Sequence, residues 1–505
     1  MPEFPFSAKS RSLVLSECKE TPLDVIIVGG GITGAGCLRD GALRGLRIAL
    51  FEAKDFAFGT SSHSSKLIHG GLRYLENYDF RLVFEANRER RCLLATAPQI
   101  VRPLPFIFPV YRGDRHGLWK VAAGAYLYSL LAIFRNIGWP KVSLAPKTMK
   151  LEPTLRPKDL IGSVSYFDAV TQDAQLTLST IHSAWHQGGL SCNYARVTEF
   201  LEERGKMTGV KVRDELTGKT YEIHSRWVVN CTGPWSDQFR QSLGNAAVPK
   251  LRLTKGIHLV LSPQQIKLNH AVLMLSPKDG RVTFAIPWEG FTLIGTTDTD
   301  FVGDPATVKP EMKDVEYLLE TVNYYFPGTK IQHKDVISTF AGLRPLIKDG
   351  QHSPSQVSRE HQIFSDHDGL VNIIGGKLTS YRKMAQELLD WLIVRTPEWQ
   401  DRLKPCSTEI MPIDPLNSQQ GSPIIPGIQV SWKDIEHAID KEMVVTIEDV
   451  LARRTSVMFL DKNHGLPLAP KIGKMLMDRL GVSEETVSLQ LEEYAQAVHT
   501  IRSGL

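Results

Sequence analysis

Apolar and polar positions alternate along this chain with two periods, and the switches between them mark out the elements. Residues 24–28, DVIIV, form a short apolar run rich in β-branched side chains, as a buried strand requires. A glycine cluster, a stretch with helical spacing and a second apolar run at 47–51 follow. That order predicts strand, tight turn, helix, strand. Residues 79–94 set Leu82, Phe84, Ala86 and Leu93 among arginines, which predicts a helix whose charges form a solvated face. Between 190 and 230 the period shortens: RVTEFLEE, MTGVKVRDELTG and KTYEIHSRWVVN predict a strand meander turning at 204–206 and at Thr217-Gly218. GIHLVLS, AVLMLS, RVTFAIPW and FTLIGTT, all between 250 and 305, predict a second, antiparallel sheet. LVNIIGG, at 370–376, is a last apolar strand, and KLTSYRKMAQELLDWLI a helix starting directly after its glycines. Residues 397–430, rich in proline, serine and glutamine, read as a linker. Residues 431–505 read as helical, with Ser431 and Ser483 as N-caps and Val487, Leu491, Tyr494 and Val498 on one core face. Residues 1–23 read as a polar extension with no secretory signal.

One segment breaks the ordinary pattern. GLWKVAAGAYLYSLLAIF, at 117–134, is the most hydrophobic stretch and holds one charge, Lys120. Trp119, Tyr126, Tyr128 and Trp139 accompany it, with Arg112, Arg115, Arg135 and Lys141 at its flanks. Aromatic and basic residues around an apolar helix are marks of the membrane interface. A single crossing between two parts of one folded domain is topologically awkward. A helix lying on or dipping into the bilayer and a buried or subunit-contact helix are the remaining placements.

Composition narrows the class. The 505 residues are 42% hydrophobic and 23% charged, an ordinary globular balance with room for two or three domains. A net charge of +4 is too small to argue for nucleic-acid binding. Cys18, Cys37, Cys92, Cys192, Cys231 and Cys406 are scattered and form no C-x-x-C, which points to reduced thiols in the cytosol with neither metal cluster nor disulfide framework.

The candidate chemistry begins at the first turn. Gly29, Gly31 and Gly34 fit G-x-G-x-x-G after a strand and before a helix. In that context the glycines allow a tight turn, close approach of a pyrophosphate and close helix packing. The helix N-terminus offers unpaired N–H groups and a positive dipole to the phosphates. Glu52, at the end of the second strand, suits ribose hydroxyls and would repel a 2′-phosphate. Thr60, Ser61 and Ser65 lie in a hydroxyl-rich loop suited to a pyrophosphate or flavin edge. The run 227–231 ends in Thr232-Gly233-Pro234-Trp235, a turn returning to the nucleotide. Gly375-Gly376-Lys377-Leu378-Thr379 is a strand–glycine–helix junction whose N–H groups could face a flavin's pyrimidine edge.

VGGGITGAG, TSSHSSKLIHGGLRYLE, NCTGPWSD, IPWEGFTLIGTTDTDFVGDP, AGLRPL and GGKLTSYRK stand in this order. Together they resemble the FAD-dependent, membrane-associated glycerol-3-phosphate dehydrogenases over roughly residues 24–390, and DVLARRT resembles that family's C-terminal domain. The resemblance implies an α/β FAD-binding domain of glutathione-reductase-like, Rossmann type, interleaved over 24–396 with an antiparallel substrate domain centred on 250–345, and a C-terminal α-helical domain. It implies that Gly29, Gly31, Gly34 and Glu52 hold the ADP part of FAD, that Thr60, Ser61 and Ser65 line the pyrophosphate and flavin, that Val197 meets the adenine, and that Leu378 and Thr379 meet the flavin. Arg73, Arg344 and Lys377, with Tyr74 beside them, are the implied clamp for the substrate's phosphate. Converging guanidinium and ammonium groups suit such a dianion. His258 is the first candidate for the base, since imidazole titrates near neutral pH, and His69 is its rival. Arg344 is also placed to stabilise the developing alkoxide.

The implied reaction moves a hydride from C2 of sn-glycerol 3-phosphate to flavin N5, giving dihydroxyacetone phosphate, with electrons passed to membrane quinone. The expected setting is the inner face of the cytoplasmic membrane, with peripheral attachment; a homodimer is left open, and no metal or nucleic acid is expected. Two alternatives remain: an oxidase delivering electrons to oxygen, and a non-catalytic FAD-containing membrane or interaction protein.

Overall fold

The computed structural model describes residues 2, 4–72, 75, 79–132, 137–242, 248–348, 360–416 and 421–505. Among these residues the strands form one eight-stranded and one ten-stranded sheet. The first is built outward from the strand Leu23–Val28, buried except at Asp24. Ile48–Phe51 pairs parallel on one side of it and Thr220–Asn230 on the other. Leu190–Cys192 and Leu370–Gly375 extend the parallel array at its two ends. The register opposes Val28 to both Phe51 and Asn230, so the carboxyl ends of these strands finish level. In such sheets that edge is where a nucleotide binds. The meander is present as an antiparallel branch, with Arg204 and Gly205 both at positive φ in its first turn.

Helices cover this sheet. Ile32–Arg44 packs against Asp173–Trp185 and Tyr381–Val394. The contact is close because Gly36 has no Cβ, which would fall 2.9 Å from the Tyr381 ring. The polar extension is anchored rather than loose. Arg11–Glu20 forms a helix with Val14, Leu15 and Cys18 fully buried, and Arg11 reaches the backbone oxygens of Asn193 and Tyr194 and the Asp214 carboxylate.

The ten-stranded sheet corrects the antiparallel expectation in one respect. Its pairs are antiparallel except that Ala271–Leu275 runs parallel to Val101–Tyr111. It also takes in Val101–Tyr111 and Leu160–Thr171, long before the stretch from 250 where alternation made strands evident. Prolines at 103, 105 and 109 disguise the former, although its neighbour Leu160–Thr171 still pairs along its length. The strand Leu251–Leu261 pairs with Val336–Ile347 along its whole length, which brings His258 and Arg344 onto adjacent strands.

The helix expected at 79–94 is Phe80–Thr96, capped by Asp79, whose carboxylate accepts from Leu82 N–H at 3.1 Å. Its charges are not all a solvated face. Glu89 and Arg90 are buried and pair with Arg382 and Asp168. Periodicity misses such pairs because each half lies far away in sequence. Ser431 and Ser483 do cap the helices Trp432–Lys441 and Glu484–Arg502. The proline-rich stretch before them is irregular but anchored, with Ile413 and Leu416 buried.

The apolar segment forms the helix Leu118–Leu130, which buries Val121, Ala125 and Tyr128 against the second sheet. Its other face is open: Trp119 is 79% exposed and Leu130 48%. Trp139, Val142, Leu144 and Ile161 extend this exposed apolar surface. No helix among the described residues is long and apolar enough to cross a membrane.

Candidate active site

A cavity of about 850 Å³ runs from the glycine turn to the face of the second sheet. Its first half is built mainly on residues 28–61. Gly29 has φ 110°, and a Cβ there would fall 2.6 Å from the Cys231 carbonyl oxygen. A Cβ on Gly34 would strike Gly29 O, so Gly34 serves the packing of helix on strand and does not line the cavity. Glu52 Oε2 accepts from Gly30 N–H at 2.6 Å and Oε1 from Lys54 N–H at 2.8 Å. Burial raises this carboxyl above its ordinary range against the pull of those two donors. Ser61 Oγ receives Ile32 N–H at 2.9 Å, tying the hydroxyl loop to the helix N-terminus. Thr60, Arg196, Val197 and Gly233 complete this wall.

The other half is assembled from distant strands. His258 is buried and lies 4.9 Å from the Phe340 ring at an interplanar angle of 19°. Its Nε2 lies 2.8 Å from Ser65 Oγ, while Nδ1 has no hydrogen-bond partner among the described residues. Burial, then the charges of Arg344 and Lys66, hold this imidazole well below its usual pKa, so it is neutral at neutral pH. Glycines make the space. A Cβ on Gly295 would overlap the His258 ring, and one on Gly256 the Arg344 guanidinium. Arg344 Nη1 donates to Asp298 Oδ1 at 3.1 Å, and Nη2 to Thr296 Oγ1 at 2.8 Å. Gly375 and Gly376, both at positive φ, turn the chain so that Lys377, Leu378 and Thr379 reach the cavity at the start of the helix Tyr381–Val394. His69 lines the same wall, its backbone N–H donating to Thr379 Oγ1 at 3.1 Å. Arg73 and Tyr74 lie outside the described residues.

Known proteins resemble this chain. The family model described as FAD dependent oxidoreductase matches residues 24–382, and the C-terminal domain of alpha-glycerophosphate oxidase matches 406–487. An aerobic glycerol-3-phosphate dehydrogenase of Bacillus subtilis is 40% identical over 411 residues, covering 81% of this chain and 74% of its own length. The one from Staphylococcus haemolyticus is 37% identical, covering 99% of this chain and 87% of its own. The chain belongs to the aerobic glycerol-3-phosphate dehydrogenase family. A solved glycerol-3-phosphate dehydrogenase from Bacillus halodurans, complexed with FAD, superposes with a TM-score of 0.79 at 28% identity, covering 99% of each chain.

Members of the aerobic glycerol-3-phosphate dehydrogenase family are FAD-dependent oxidoreductases, and the glycine turn, Glu52 and the level strand ends fit that cofactor's dinucleotide. Sequence reasoning missed one group in this member. Thr296 and Asp298, which orient Arg344, sit in a quoted motif but gave no signal of their partner. His63 also lines the cavity, its Nδ1 3.0 Å from Gly59 O, with burial holding its pKa below the usual value. The mid-strand Gly256 was an available hint to Thr296, since a Cβ there would fall 2.5 Å from Thr296 Oγ1 and glycine inside a strand marks close approach of another group.

Proposed function

We propose that this protein oxidises sn-glycerol 3-phosphate to dihydroxyacetone phosphate and passes the electrons to membrane quinone. The observation that carries this reading is that one cavity joins a dinucleotide cradle to Arg344, Lys377 and a neutral buried imidazole. Bound FAD supplies the acceptor for the C2 hydride. Arg344 and Lys377, with Arg73, hold the phosphate dianion by charge-assisted hydrogen bonds. His258, kept neutral by burial, takes the C2 hydroxyl proton, and Ser65 fixes the plane of its ring. Arg344, on the strand paired with that of His258, would also stabilise negative charge developing on the C2 oxygen. Gly29, Gly31 and Glu52 hold the adenosine and pyrophosphate part, Val197 the adenine, and Leu378 and Thr379 the flavin edge.

Anaerobic mixing of the purified holoprotein with glycerol 3-phosphate tests the reading. Flavin absorbance near 450 nm should bleach within the turnover time; a flavin left oxidised would sink the assignment and favour a non-catalytic FAD protein.

Quinone as acceptor gains support from the exposed face of Leu118–Leu130. Trp119, Leu130 and Leu144 present apolar surface beside exposed Arg112, Arg115, Lys120 and Lys141, the mix suited to an anionic lipid interface. Trp119→Glu with Leu130→Glu should release the protein from vesicles and slow reduction of a lipid-dissolved quinone. The match of residues 406–487 to an oxidase domain favours the second reading, electron delivery to oxygen. Rapid oxygen uptake with glycerol 3-phosphate and no quinone would decide for it.

A further inference from the structure

A largely buried ion cluster lies behind the nucleotide half of the cavity. Asp55 lies three residues beyond Glu52 in the chain and has no solvent exposure. Its Oδ2 accepts from Arg453 Nε and Arg454 Nη1, both at 2.6 Å, and its Oδ1 from Arg454 Nη2 and Asn193 Nδ2, both at 3.0 Å. The two adjacent arginines converge on one carboxylate from a π-helical turn, Asp449–Arg454, in the C-terminal domain. Arg453 is itself held by Asp449 Oδ1 at 2.7 Å and Glu448 Oε1 at 2.8 Å. Arg454 Nη2 also donates to the Glu442 carbonyl at 2.8 Å. Burial alone would raise the Asp55 carboxyl; Arg454 and Arg453 overcome it and keep Asp55 ionised.

The loop that carries Asp55 wraps the glycine turn. Ala57 N–H donates to Gly30 O at 3.0 Å, and Phe58 N–H to Asp55 O at 3.1 Å. Phe56 fills the space where a Gly30 Cβ would sit, 2.7 Å from that position. Ala57 is held at φ 62°, a conformation that residues with a Cβ seldom adopt without support. Phe58, under the Arg453 guanidinium at 5.7 Å, lines the cavity. Glu52 and Ala57 therefore meet the glycine turn from either side of Asp55, and among the described residues the Asp55 carboxylate is held by Arg453, Arg454 and Asn193, all outside this loop.

We infer that Arg453 and Arg454 are positioning residues through which the C-terminal domain sets FAD affinity, by fixing the loop at 52–58 so that the Glu52 carboxylate stays aligned for the ribose. This rests on the reading of Glu52 given above. Buried charged pairs are expensive to assemble, so a cluster placed here points to geometry more than to bulk stability.

The test uses the full chain, stripped of FAD and titrated with FAD and with ADP as a probe of the nucleotide half, well below the apoprotein's melting temperature. Asp55→Asn should weaken both ligands by tenfold or more. Glu89→Gln, which breaks the equally buried Glu89–Arg382 pair elsewhere, should change both by less than threefold. In a Glu52→Gln background, Asp55→Asn should add little. Equal weakening by Glu89→Gln, or full additivity with Glu52→Gln, would overturn the inference. So would Asp55→Asn with unchanged affinity. If Glu52→Gln alone leaves FAD and ADP binding intact, the Glu52 reading fails first and the inference goes with it. Should Asp55→Asn not fold, Arg453→Lys, which keeps the charge but loses the fork, carries the same comparison.

Discussion

Gly30 and Glu52 meet across 22 residues of chain, while His258 and Ser65 meet across 193. The two halves of the cavity are built in these two ways. The nucleotide half is built mainly on the local stretch 28–61, where backbone N–H groups do the holding and side chains are mostly excluded by lack of space, with Arg196, Val197 and Gly233 added from later in the chain. The substrate half draws on strands and helix starts from across the chain, and its polar side chains are set by partners such as Asp298 and Ser65. A local half should fail through steric change at a glycine. A distributed half should fail through loss of a charge, with the fold and cofactor left in place.

The largest effects come from breaking each half in its own way. Arg344→Ala should retain FAD and lower kcat/KM for glycerol 3-phosphate by on the order of 10³, the usual cost of removing a charged partner from a buried anion site. Gly34→Ala should do the reverse, since its Cβ strikes the Gly29 carbonyl and forces the helix off the strand. The protein should then purify without FAD. Flavin content and steady-state kinetics on the two variants check both, and an Arg344→Ala enzyme with normal kinetics would remove the clamp.

The same division explains what could be read before the fold was known. The glycine turn, Glu52 and the junction at Gly375-Gly376 are legible because their chemistry is written in consecutive residues. His258 and Arg344 could be named only through motifs, since nothing in either segment says that Leu251–Leu261 pairs with Val336–Ile347. Glu89 and Arg90 read as part of a solvated face, and Asp55 drew no reading, because a buried charge is recognised by its partner, and Arg382, Asp168 and Arg454 are remote. Prolines hid the strand Val101–Tyr111 for a different reason: propensity argues against strand there and tertiary pairing overrides it.

Titration sharpens the comparison next. In the substrate half, protonation of His258 removes the base, and burial beside Arg344 and Lys66 holds its pKa down. The acid limb of kcat/KM should therefore fall below pH 6.5, and His258→Gln should cost about 10²- to 10⁴-fold. A limb at or above that pH would point to another base, with His69 first in line.

Behind the nucleotide half the sign is opposite for stability. Glu442 is buried, and desolvation pushes its carboxyl from 4.5 up to about 7, with Arg454 pulling it down and Asp434 and Asp55 pushing it up. Arg454 Nε lies 3.7 Å and His437 Nε2 3.9 Å from it. A carboxyl with a raised folded pKa gives its full contribution below the unfolded value and loses it as pH rises through the folded one. Stability should thus decline between about pH 4.5 and 7, by about 3 kcal/mol at the conversion of about 1.4 kcal/mol per pH unit. Denaturant midpoints across that window should flatten in Glu442→Gln; an unchanged slope would assign the decline to other groups.

The smallest effect separates holding a charge from aiming it. Asp298 accepts from Arg344 Nη1, and Thr296 from Nη2, so the guanidinium is oriented before any substrate arrives. Asp298→Asn keeps the size of the side chain and one acceptor oxygen but removes the counter-charge. Arg344 then attracts a phosphate dianion more strongly while being less firmly aimed. Substrate KM should stay level or drop, and kcat should fall by about tenfold, the loss expected when one oriented hydrogen bond weakens by about 1.4 kcal/mol. A rise in KM at constant kcat would mean that Asp298 contributes to binding alone. The substrate half would then be a clamp set by charge, with orientation supplied by the strands themselves.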